Sequence, residues 1–225
     1  MPLEIPVALA FAALIWTIYV LSQQRRDAVT ARRAALLAAC EPLFSDRLVR
    51  VSAMGFPRMA GSAMGRRWDV QLVPDALGVR KLPALWLMVS LTEAVPVAAS
   101  LHLMLRPTGG EGFSRFRDLP VQVPLPPGYP EDAGLRTDDA ALMPAPDLLL
   151  PVLALGQDRI KEIIVSSKGL RVTLLVEEAD RRNYLILRQT DLGQTEIDAG
   201  LVQAAMAALL ALRDKLPEHQ TRKTA

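Results

Sequence analysis

Gly55, Gly61 and Gly65 are interleaved with Arg58, Arg66 and Arg67 across residues 55–67, and there the sequence comes nearest to an anion site. Small residues let backbone amides approach an oxyanion, and guanidinium groups add charge. The Gly-Lys-Ser/Thr ending of a phosphate loop is missing, and no G-x-G-x-x-G leads into a helix. The residues after Gly65 read as a strand. The stretch is therefore expected to be a turn between strands, with Arg58, Arg66 and Arg67 as its candidate binding residues.

Nucleophilic catalysis needs a base beside a serine or cysteine, and only His102 and His219 are available as imidazoles. His102 falls on the polar side of an alternating segment, where a solvated side chain is expected, and His219 lies near the C-terminus. No G-x-S-x-G elbow surrounds a serine. Two histidines and the lone Cys40 are too scattered for a zinc set. Glu131, Asp132, Asp138 and Asp139 cluster without the spacing of a calcium loop and read as a solvated surface, and nothing marks Glu177 with Glu178 as an acid–base pair. No catalytic residue, metal or cofactor is assigned. Pro124, Pro127 and Tyr129, in Pro-Leu-Pro-Pro-Gly-Tyr-Pro, are the remaining binding candidates, as a polyproline face for an aromatic groove.

The elements that would position these groups follow from periodicity. Residues 48–53 and 68–72 alternate as half-buried strands do. Residues 82–91 and 97–106 read as adjacent antiparallel strands joined by a hairpin at 92–96. Between 107 and 151, prolines and glycines forbid regular ladders and leave mostly loop, either an excursion or a strap over the sheet, with a short helix at 147–155. Residues 161–166 and 170–176 flank Ser167-Lys168-Gly169, and 183–189 completes a three-stranded meander. Thr195 with Asp198 resembles a capping box, after which Ile197, Leu201, Ala204, Ala208 and Leu212 make an apolar stripe until Pro217. The fold class is α+β, with a mainly antiparallel sheet and a C-terminal amphipathic helix.

Residues 5–22 carry no charge and are about as long as a membrane span. Glu4 precedes them and Arg25, Arg26, Arg32 and Arg33 follow, the wrong polarity for a cleaved signal peptide. The positive-inside rule then puts the N-terminus outside and the rest in the cytoplasm, with Trp16 and Tyr19 as interfacial aromatics. The expected organisation is a transmembrane anchor at 1–23, a juxtamembrane helix at 24–41, a cytoplasmic domain at 42–217 and a flexible tail at 218–225. Val29, Arg33, Leu36, Leu37 and Cys40 give the juxtamembrane helix a stripe for docking on the domain.

With 26 basic and 24 acidic residues interspersed, the chain has no long basic stripe for nucleic acid, and its apolar fraction of 51% is that of a packed protein. The expected function is a membrane-tethered, non-enzymatic interaction or assembly module at the inner (plasma) membrane. Its partners would be lipid, through the N-terminal helix, and a protein. The alternative is a hydrolase or transferase acting at the membrane surface.

Overall fold

A computed structural model describes residues 4–75, 82–182, 184 and 192–223, the side chains of 4–8 and 217–223 excepted. Helix α1 (Glu4–Ala34) leads through a short 3-10 helix (Ala38–Leu43) into β1 (Ser45–Val51), β2 (Pro57–Ala63), β3 (Arg66–Asp75), β4 (Ala84–Leu91) and β5 (Leu101–Leu105). Then come β6 (Val121–Val123), β7 (Ala133–Thr137), helix α2 (Leu150–Leu153), β8 (Ile160–Ser166), β9 (Gly169–Glu178) and helix α3 (Ala199–Lys223). The strands form one sheet in the order β1-β2-β3-β4-β9-β8-β5-β7-β6, antiparallel throughout.

Strand alternation gives this sheet two different faces. Leu85, Leu87, Val89 and Leu91 of β4, with Leu170, Val172 and Leu174 of β9, point to the main core. Against them α3 buries Val202, Ala205, Met206, Leu209, Leu212 and Leu216, spaced three and four apart as a helix stripe must be. The stripe differs in phase from the expected one, and Ala204 is exposed. Apolar residues occupy several sides of 199–216, so spacing alone allows more than one stripe; the helix is capped by Asp198 rather than Thr195, Asp198 Oδ1 accepting the Gly200 N–H at 2.9 Å. The Thr195 N–H instead joins those of Gly193 and Gln194 on Glu177 Oε2. Helix α3 also continues through Pro217, where the sequence predicts its end, so helix reaches Lys223 where a tail was expected.

Three further expectations are corrected. Residues 57–63 are strand rather than turn, and the reversal is confined to Met64 and Gly65, both at positive φ as a two-residue hairpin of mirror-image type requires. Strands β4 and β5 are not neighbours, because the tight β8–β9 hairpin occupies the edge of β4; Val95, Val97 and Ala99 carry the chain across through the core. The proline-rich stretch contains β6 and β7, which extend the sheet beyond β5. The third meander strand, expected at 183–189, falls almost wholly outside the described residues.

The second face carries Trp86, Met88 and Ser90 of β4, Arg171 and Thr173 of β9, and His102 and Met104 of β5, and it is covered by residues 107–119. Left-handed Arg106 (φ 48) turns the chain out of β5 into this strap. That conformation costs on the order of 1 kcal/mol. It is offset by guanidinium hydrogen bonds to the carbonyls of Gln157, Asp158 and Ile160. Phe113 of the strap lies 5.7 Å from Trp86 between ring centroids, and Phe116 fills the space above Gly134, where a Cβ would meet it at 2.8 Å.

Among the described residues, helix α1 docks by its C-terminal end. Leu36, Leu37 and Cys40 beyond it are buried, as the expected docking stripe requires. Arg33 lies over the Phe56 ring at 4.8 Å and donates to the carbonyls of Leu192 and Met54. Among the described residues, no helix is long and apolar enough to cross a membrane. The described side chains begin at Leu9, so only residues 9–24 precede the first arginines, short of the roughly 20 residues of a span. The transmembrane part of the expected fold is thus not supported by the described helix.

Candidate functional site

The strap is held by a buried polar cluster. A register shift in β8 pairs Ile160 with Leu174 and Glu162 with Thr173, leaving Lys161 as the extra residue of a bulge. Bulges re-aim side chains, and here the consecutive Lys161 and Glu162 both reach the strap. The Lys161 ammonium donates to the carbonyls of Leu105 and Arg106 at 3.1 and 2.6 Å and meets Glu111 Oε1 at 3.0 Å. Glu111 also accepts the Thr108 N–H and hydroxyl and the Gly109 N–H. Both side chains are about 5% exposed or less, so the pair is a desolvated one.

Beside it, the Ser114 hydroxyl donates to Glu162 Oε1 and accepts the Phe116 N–H. His102 Nδ1 stands 3.6 Å from the same carboxylate oxygen. The carboxylate therefore sits between serine and imidazole, whereas an activated serine needs the imidazole next to its hydroxyl. The arrangement latches the strap; it does not activate Ser114. His102 is 8% exposed, not solvated as expected, because residues 107–119 cover its face. His102 Nδ1, Thr173 Oγ1 and Trp86 Nε1, all on this face, are buried without a hydrogen-bond partner among the described residues.

Burial pushes the Glu111 carboxyl up, but hydrogen bonds from Thr108 and the Lys161 ammonium outweigh it and bring its pKa from 4.5 to about 2. A carboxyl lowered on folding stabilises the fold above its unfolded pKa and loses that contribution as pH falls through the folded one. The shift corresponds to roughly 3 kcal/mol. Urea unfolding from neutral pH down to pH 2 is expected to show this loss between pH 4.5 and 2, and Glu111→Gln is expected to flatten that part of the profile.

The residues singled out in the sequence do not converge. Arg58 pairs with Asp69 at 2.7 Å, and Arg66 shares Glu93 with Arg213 of α3. Arg66 and Arg67 are consecutive on β3 and point to opposite faces of the sheet. Pro124 and Pro127 are exposed. Tyr129 packs its ring on the core and donates its hydroxyl to the Pro146 carbonyl, its own ionisation pushed up by burial and then by the Asp147 charge. Among the described residues no group of three His, Cys, Asp or Glu side chains could hold a metal ion. The latch was missed in the sequence because Lys161 and Glu162 read as alternate faces of a strand, and only a bulge turns them together.

At the other end of the molecule, α1 presents Leu9, Phe11, Leu14, Ile15, Trp16, Ile18, Tyr19 and Leu21 around its circumference, each more than half exposed. Trp16 and Tyr19 lie against each other at 6.1 Å, and Arg25, Arg26 and Arg32 are exposed below them. No family model and no curated protein matches the chain.

Proposed function

We propose that this chain is a membrane-tethered, non-enzymatic interaction or assembly module, with α1 in the inner (plasma) membrane, its N-terminus outside and the sheet domain cytoplasmic. One observation carries the reading: from Leu9 to Tyr19, α1 is apolar around its circumference and exposed on every side among the described residues. A helix of that kind is stable only in lipid or inside a larger apolar body. The sequence adds the four residues that complete it, because residues 5–24 contain no Asp, Glu, Lys or Arg. Arg25, Arg26, Arg32 and Arg33 then lie on the cytoplasmic side, and Trp16 with Tyr19 toward the headgroups.

The tether works as a strut. Helix α1 is unbroken to Ala34, and Arg33 is fixed to the domain by two hydrogen bonds and the Phe56 ring. From Ser22 to Arg33 the rise is about 16 Å at 1.5 Å per residue, so the domain is held close to the bilayer in one orientation. Confinement of this kind raises the effective concentration for a partner in or on the same membrane. The test is extraction of membranes from cells expressing the full chain. An integral protein stays in the pellet at alkaline pH and leaves it only with detergent; release by alkali or salt alone would sink the reading.

A further inference from the structure

Where β4 and β8 end and β9 begins, at the Ser166–Gly169 hairpin, the second face opens into a cavity of about 310 Å³ between sheet and strap. Its wall includes Arg115 from the strap, Lys168 from the turn, Arg171 from β9, and the hydroxyl residues Ser90, Thr92 and Ser166. Among the described residues, no Asp or Glu lines it. Five other cations meet carboxylates, Arg47 with Glu41, Arg58 with Asp69, Arg66 and Arg213 with Glu93, and Lys161 with Glu111, while Arg33, Arg106 and Arg136 donate to backbone carbonyls. Here the Arg171 Nε donates only to the Ser90 hydroxyl, at 2.9 Å, and Arg115 and Lys168 have no carboxylate partner among the described residues.

We propose that this groove binds a soluble, phosphate-bearing small molecule. Three cations facing one cavity repel one another, and an oxyanion removes that repulsion while accepting their hydrogen bonds. Two of them are arginines, whose planar fork matches phosphate oxygens two at a time. Ser90, 4% exposed, holds Arg171 in place from beneath. An anion there ties the strap, through Arg115, to the β8–β9 turn, through Lys168, and adds a second fastening to the Lys161–Glu111 latch.

The position separates soluble phosphates from lipid headgroups. The β1–β2 turn packs on α1, a Cβ at Gly55 falling 3.4 Å from Thr30. That turn lies at the end of the sheet where β4 begins, and the groove lies where β4 ends. Eight residues of strand span about 26 Å, which carries the groove away from the bilayer. Only this exclusion of lipid rests on the tether reading; the anion site itself does not.

The experiment uses the full chain in mild detergent, titrated with inorganic phosphate at constant ionic strength, and reads acetylation of Lys168 by mass spectrometry beside the thermal midpoint. Saturable protection of Lys168 and a rise in midpoint are expected. Arg115→Ala, at an exposed position, should weaken phosphate binding about tenfold without lowering the midpoint of the free protein, since it also relieves repulsion among the cations, and Arg171→Gln should weaken binding at least as much. Nanodiscs containing phosphatidate should leave Lys168 as reactive as phosphatidylcholine nanodiscs do. A response to phosphate no larger than to chloride, or one unchanged by Arg115→Ala, overturns the site; protection by phosphatidate without soluble phosphate overturns its soluble ligand.

Discussion

Replacing Lys161 with methionine is expected to lower the stability of the domain by about 3–5 kcal/mol, the usual cost of removing one partner of a buried ion pair. Glu111 keeps its Thr108 and Gly109 donors but loses the ammonium that neutralises it in a site about 4% exposed. The carbonyls of Leu105 and Arg106 lose their donor as well. Combining Lys161→Met with Glu111→Leu should recover most of the loss, because an apolar pair needs no compensating charge. Urea midpoints for the two variants check this, and protease nicking within 107–119 should rise in Lys161→Met alone.

The second large effect concerns α1. Leu14→Arg with Ile15→Arg puts two charges near the middle of the uncharged run. On insertion scales each costs about 3 kcal/mol, so the pair should shift the chain out of the membrane almost completely. Neither side chain touches the sheet domain, so its thermal midpoint should not change. Exchanging the two residues, Leu14→Ile with Ile15→Leu, keeps the apolar surface and should leave fractionation as it was.

Sequence periodicity carried the strands well and their neighbours poorly. Residues 82–91 were legible as a strand because they form a nearly continuous apolar run, and the turn at Ser167-Lys168-Gly169 announced the β8–β9 hairpin. The pairing of β4 with β9 instead of β5 was not legible, since no local signal tells a strand which distant edge it will meet. In 55–67 the glycines drew attention to an anion loop, whereas Gly61 serves a close approach: a Cβ there would lie 2.9 Å from that of Phe44. The latch was hidden by one bulge at Lys161, and the groove by distance, because Arg115, Lys168 and Arg171 belong to a strap, a turn and a strand that only the folded sheet assembles.

Thiol labelling from the two sides of the membrane tests the central claim most directly. The native thiol gives no background: Cys40 is fully buried, and burial, with the Asp198 charge, pushes its pKa up to about 11. Pro2→Cys and Ser167→Cys place single reporters before α1 and on the β8–β9 turn. In intact cells a membrane-impermeant maleimide should label Pro2→Cys alone, with Ser167→Cys reacting only after permeabilisation. Labelling of both, or of neither, in intact cells would contradict a helix that crosses the bilayer with the domain inside.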